Sequence, residues 1–177
     1  MKNIGLFFGS DTGCTESVVA QVVEMIGEDF VDVYEISQVS DPDVFLQYDN
    51  ILIGIPTWYD GDLQSDWEDF FPKFEKIVFD GRFIAIFGLG DQVGYGEYFV
   101  DGIGVLARSA MDNGAQIIGL CPIDGYEYEE SQALITIDGQ EYFLGLPIDE
   151  DNQPHQTEER LSIWLEQVIT DFALVTN

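Results

Sequence analysis

The chain is predicted to be an α/β protein, a doubly wound three-layer sandwich with parallel strands in one sheet and helices on both faces. Three observations predict it. Apolar strand-like runs alternate with helical periodicities along the 177 residues. Several of those runs are continuously apolar, as suits strands covered on both faces. No linker, repeat or low-complexity stretch divides the chain, so residues 1–177 are expected to form one domain.

Asn3 to Gly9 reads as a buried strand ending in a Gly/Ser/Thr turn, and from Thr15 the positions Val18, Val19, Val22, Val23 and Ile26 mark a helix. Val31 to Ile36 is a second strand. Ser40-Asp41-Pro42 starts a short helix carrying Val44, Phe45 and Tyr48, and Ile51 to Ile55 is a third strand stopped by Pro56. Ser65 with Glu68 forms a capping-box pattern ahead of Trp67, Phe70, Phe71, Phe74 and Ile77, with Pro72 expected to bend that helix. Phe83 to Phe87 is a fourth strand, and Phe99, Ile103, Leu106, Ala107 and Ala110 mark a further helix. Gln116 to Leu120 begins a fifth strand. Residues 122–153, rich in Tyr, Glu, Asp and Gly, read as a hairpin-like insertion before a last helix with Leu161, Trp164, Leu165, Val168, Ile169 and Phe172.

Six Lys and Arg against 34 Asp and Glu give a net charge of −28, while 46% of the chain is hydrophobic and 14% aromatic, so the chain folds rather than remaining an acidic coil. That charge repels nucleic-acid phosphates and anionic lipids and attracts cationic protein faces. Nucleic-acid partners are thereby excluded. Cys14 and Cys121 make no disulfide framework or zinc pattern, and His155, the single histidine, leaves no Ser-His-Asp or Cys-His set. The first residues enter an apolar strand without an export-signal pattern, and no run approaches the roughly 20 apolar residues of a membrane span. A cytoplasmic location without membrane insertion is expected.

In doubly wound sheets ligands sit beyond the carboxyl ends of the strands, where the winding reverses. Three loops fall there. Ser10-Asp11-Thr12-Gly13-Cys14-Thr15-Glu16 offers hydroxyls, a turning glycine and the free N–H groups of a helix start, which suit a phosphate. It lacks the Gly-Lys-Ser/Thr of a nucleotide-hydrolysing loop, and Cys14 contributes its N–H. Pro56-Thr57-Trp58-Tyr59-Asp60-Gly61-Asp62 places two aromatics where a flat ring can stack. Gly88-Leu89-Gly90-Asp91-Gln92-Val93-Gly94-Tyr95 adds glycines for close backbone approach and another aromatic, without matching Gly-x-Gly-x-x-Gly.

The combination Ser10-x-Thr12-Gly13-x-Thr15-Glu16, Pro56-Thr57-Trp58 and Gly88 to Tyr95 resembles the flavodoxin family almost end to end. Leu63-Gln64-Ser65-Asp66-Trp67, Asp149-Glu150-Asp151-Asn152-Gln153 and the insertion resemble its long-chain subgroup. The resemblance implies the family's five-stranded parallel sheet of order 2-1-3-4-5, with the fifth strand interrupted. It implies non-covalently bound FMN, with its phosphate on Ser10, Asp11, Thr12, Gly13, Cys14 and Thr15. Trp58 and Tyr95 would cover the two ring faces, supported by Pro56, Thr57, Tyr59, Asp60, Gly61, Gly88, Leu89 and Gly90. Asp91 would lie near the pyrimidine edge and Asp149 at the ribitol or the loop behind it. The peptide joining Tyr59 to Asp60 would answer flavin N5–H in the semiquinone. Asp60 and Cys14 depart from the residues common in relatives, and Asp60 is expected to tolerate the turn's positive φ less well than Gly.

The implied role is a monomeric one-electron carrier, not an enzyme, cycling between semiquinone and anionic hydroquinone. Each of Asp60, Asp62, Asp91 and Glu97, at an assumed ~10 Å, disfavours the added negative charge by roughly 1 kcal/mol, and together they lower the potential by on the order of 100 mV. The implied partners are basic faces of ferredoxin–NADP reductase, and of photosystem I in a photosynthetic host. The alternative is an FMN-dependent NAD(P)H quinone reductase, which needs room over the flavin that a stacked Tyr95 would close. A response-regulator module would need an acidic pair and an acceptor Asp where Ser10-Asp11 and Pro56-Thr57 stand. Tyr126, Tyr128 and Tyr142 of the insertion suit either partner docking or a cover over the fifth strand.

Overall fold

The computed structural model describes residues 3–175. Strands β1 (Ile4–Phe8), β2 (Val31–Glu35), β3 (Asn50–Trp58) and β5 (Phe83–Leu89) lie parallel in the order β2-β1-β3-β5. The position beyond β5 is shared by two short strands. β6 (Gln116–Ile118) pairs with Phe83 to Ala85, and β10 (Leu146–Ile148) pairs with Phe87 to Leu89, both parallel. The main sheet therefore has the expected five positions, the fifth being filled in two pieces.

Alternation along the strands divides the interior in two. Leu6, Phe8, Leu52, Ala85 and Phe87 face α1 (Cys14–Ile26) and α4 (Thr157–Val175), meeting Val18, Val22, Leu161, Trp164 and Val168. Phe7, Ile51, Ile53, Ile55, Ile84 and Ile86 face the other way, against α2 (Ser65–Phe74) and α3 (Asp101–Asp112) with Trp67, Phe74, Ile103 and Leu106. Period-2 strands between two helical layers thus build the sandwich.

Several local expectations are corrected. Pro56 does not stop the third strand, which continues to Trp58. Gly54 faces β1, accepting from Gly9 N, so Pro56 two residues on turns its missing donor to that side, past the end of β1. The cap of α2 is Gln64, whose side chain accepts from Trp67 N, because Ser65 Oγ donates instead to Asp11. Pro72 lies in the last turn of that helix. Phe99 stands outside α3, which starts at Asp101. Finally, residues 146–148, expected inside the insertion, belong to the main sheet.

The excursion itself, residues 119–145, carries a small antiparallel sheet of β7 (Cys121–Pro122), β9 (Gln140–Phe143) and β8 (Leu134–Ile137), with β9 in the middle. Tyr126 and Tyr128 pack on Phe99 and Phe143, and Tyr126 Oη donates to Pro147 O. Those two rings cover the core.

Trp67 is fully buried, and its Nε1 donates to Gly54 O across the sheet-helix interface. Trp67→Ala is expected to lower unfolding free energy by about 3–5 kcal/mol in equilibrium urea titration. A loss below about 1 kcal/mol would contradict this packing.

Candidate functional site

A cavity of about 420 Å³ opens at the carboxyl ends of β1, β3 and β5, where the winding reverses between β1 and β3. A larger groove of about 770 Å³ lies at the amino ends of the strands, lined mainly by apolar residues such as Ile4, Met25, Phe30 and Leu165. The smaller cavity is the functional candidate, because it gathers aromatic rings, a helix start and carboxylates at one place.

Thr12 and Cys14 bring the first loop to the cavity. Gly13, at φ 83, turns the chain into α1, and no side chain caps that helix. Its first-turn N–H groups therefore lie at the loop, which is the physical basis of an anion site. Ser10 and Asp11 are engaged elsewhere. Ser10 Oγ accepts from Gly13 N at 3.0 Å, and Asp11 Oδ1 accepts from Gln64 Nε2 and Ser65 Oγ. Thr15 is buried.

Pro56, Thr57, Trp58 and Tyr59 line a second wall. Thr57 Oγ1 accepts from Gly102 N at 2.9 Å, fixing this wall to the start of α3. β3 then turns back through residues 59–61 into β4 (Asp62–Leu63), with Gly61 N donating to Trp58 O. The left-handed residues of this turn are Tyr59 at φ 41 and Gly61 at φ 89, not Asp60. That corrects the expectation for Asp60. Trp58 Nε1 is buried without a hydrogen-bond partner.

Leu89, Gly90, Asp91 and Tyr95 form the third wall. Gly88 faces away: a Cβ there would meet Ile103 at 2.5 Å, so its role is packing on α3 rather than ligand approach. Asp91 Oδ1 accepts from Val93 N, Gly94 N and Asn152 Nδ2, holding the turn that presents Tyr95. Burial pushes the Asp91 carboxyl up, and the bonds from Gly94, Asn152 and Val93 overcome it, so the group ionises below the ordinary Asp range.

Asp149, expected at the ribitol or the loop behind it, takes the second place: it is only 1% exposed and does not line the cavity. Its oxygens accept from Gln92 N and Nε2, Asp151 N, and Asn152 N and Nδ2, so it joins two loops from behind. Glu150 and Asp151 line the cavity in its place. Burial foremost, then the neighbouring Asp91, Asp149 and Glu150, pushes the Asp151 carboxyl up. Their signal in the sequence was adjacency to Asp149, two and three residues past a strand end.

A helix start without a side-chain cap, aromatic rings and carboxylates thus meet around one cavity at the switch point of a doubly wound sheet, where proteins of this class bind their ligands. The flavodoxin family profile matches residues 6–164. The chain is 45% identical to the flavodoxin of Klebsiella pneumoniae and to flavodoxin 1 of Escherichia coli K12, each over 98% of this chain and 97% of the relative. The crystal structure of Fusobacterium nucleatum flavodoxin bound to flavin mononucleotide superposes with a TM-score of 0.88 at 29% identity, covering 97% of this chain and 99% of that one. The chain belongs to the flavodoxin family, whose members bind FMN and are electron-transfer proteins, not enzymes.

Tyr59 is 63% exposed, so glycine there forfeits little burial while removing left-handed strain. Tyr59→Gly is expected to raise unfolding free energy of the FMN-free protein by up to about 1 kcal/mol, whereas Asp60→Gly lowers it by about 0.5–1 kcal/mol. Calorimetry showing the opposite order would place the strain elsewhere.

Proposed function

We propose that this chain is a low-potential one-electron carrier using non-covalently bound FMN. The observation that carries the reading is the single cavity onto which the uncapped start of α1, Trp58 and Tyr95 all open. In this reading the residues from Ser10 to Thr15 hold the phosphate, with Thr12 and Cys14 nearest the cavity. Trp58 and Tyr95 lie against the ring system. Bound FMN supplies the redox chemistry, cycling between its one-electron-reduced and two-electron-reduced forms.

The chain's own contribution is electrostatic. Asp91, Glu150 and Asp151 line the cavity and Asp60 adjoins it, while among the described residues no Lys or Arg lines it. Negative charge added to the ligand is therefore disfavoured, which lowers the potential of the last electron. The protein is read as a cytoplasmic monomer of the long-chain type, working as one unit over its full length. Its acidic face suits basic redox partners such as ferredoxin–NADP reductase, and photosystem I in a photosynthetic host.

The purified protein is expected to be yellow and, titrated with dithionite, to pass through a distinct spectrum at one electron per molecule before bleaching. A colourless protein that takes up no FMN would overturn the reading. Electron transfer with a cationic partner is expected to slow several-fold as added salt shortens the Debye length from ~10 Å toward ~3 Å. A rate independent of salt in stopped-flow measurements would remove the electrostatic partner assignment.

A further inference from the structure

We propose that Gln92 is a positioning residue, the joint through which the excursion between β6 and β10 holds the loop carrying Tyr95 and thereby sets the affinity and potential of the flavin. The inference rests on the FMN reading above and goes beyond it by assigning the excursion a role in the redox site.

Gln92 is 4% exposed, while its successors Val93, Gly94 and Tyr95 are exposed. Its side chain runs inward and is used at both ends. Nε2 donates to Asp149 Oδ2 at 2.7 Å, and Oε1 accepts from the backbone N of Glu127 in the excursion. One amide thus ties the flavin loop to the end of β10 and to the inserted segment together. A second tie lies just beyond Tyr95, where Gly96 O accepts from Glu129 N and Glu130 N. Tyr95 is 47% exposed and sits between these two anchors, so its place depends on the backbone they hold.

Removing the Gln92 side chain leaves the Gly96 anchor in place. Asp149 also keeps the donors from Gln92 N, Asp151 N, Asn152 N and Asn152 Nδ2, so no buried charge is stranded. Asp149 nevertheless faces the amide directly. The other charged or titratable groups around the joint are Asp91 on the same loop, Glu127 and Tyr126 of the excursion, Glu150 and Asp151 after β10, and Arg160 of α4, which lies 4.1 Å over the Tyr126 ring.

The test compares wild type, Gln92→Met and Gln92→Glu, using FMN dissociation constants from flavin fluorescence and the two one-electron potentials from spectroelectrochemistry. Gln92→Met keeps the length without the hydrogen bonds, and it is expected to weaken binding of oxidised FMN about tenfold. It is also expected to move at least one potential, since a tenfold change in the ratio of affinities of two redox forms reads as about 59 mV. Binding weakened equally in every redox form, with both potentials unmoved, makes Gln92 a stability residue only and overturns the proposal.

Gln92→Glu supplies a signature that a stability role would not produce. Its protonated carboxyl donates to Asp149 and accepts from Glu127 N as the amide does, and its ionised form loses the donor and opposes Asp149. Burial beside that charge raises its ionisation range. Relative to wild type at each pH, the variant is expected to match it in acid and to approach Gln92→Met as pH rises. A pH-independent Gln92→Glu overturns the proposal, and this profile decides alone if Gln92→Met fails to fold. Wild type that binds no FMN overturns the carrier assignment itself, whereas FMN-binding wild type with unmoved variants overturns only the role of Gln92.

Discussion

Pairing the whole length of β5 is the constraint on which the remaining architecture depends. β5 is almost wholly buried and bonds to β3 along seven residues, so its other edge needs partners as far as Leu89. β6 covers the first three residues and stops at Ile118. The chain then leaves the sheet, folds over α3, and returns as β10 to pair Phe87 to Leu89. Gly90 N donates to Ile148 O just beyond, so closing this edge also brings the loop after β5 beside the loop after β10. Two walls of the cavity follow from one pairing requirement.

The excursion is held down by the chain's few cations in an unusual use of charge. Arg108 donates to Gln132 O and Leu134 O, and Arg160 donates to Gly125 O and Gln153 Oε1. Arg82 likewise donates to Asp80 O and Leu46 O. In a chain of charge −28 the guanidinium groups clamp loop backbones instead of neutralising the cavity. The field at the site is left to its carboxylates, and those differ by environment. Asp91 is held ionised by N–H donors, whereas burial foremost, then the neighbouring Asp91, Asp149 and Glu150, raises the carboxyl of Asp151.

Particular residues show where sequence reasoning stops. β1, β2, β3, β5 and β6, the four long helices and the three loops were legible, because period-2 and period-3.6 patterns and turn residues express contacts between near neighbours. Pro56 misled because its missing donor matters only if a strand lies on that side. Ser65 misled because its hydroxyl found Asp11, which is far away in the chain. Asp60 and Tyr59 could exchange roles in the turn because Gly61 beside Asp101 and the β4 pairing fix which peptide bends.

Composition and local pattern alone therefore determined the layer architecture, the position of the cleft and the sign of its field. Those properties are sums over many residues, and no single misplaced neighbour changes them. Tertiary structure decided which groups face the cavity, turning Asp149 and Gln92 into an internal joint and bringing Glu150 and Asp151 forward. The direction of one side chain depends on a partner supplied by distant chain, and sequence spacing carries no record of that partner.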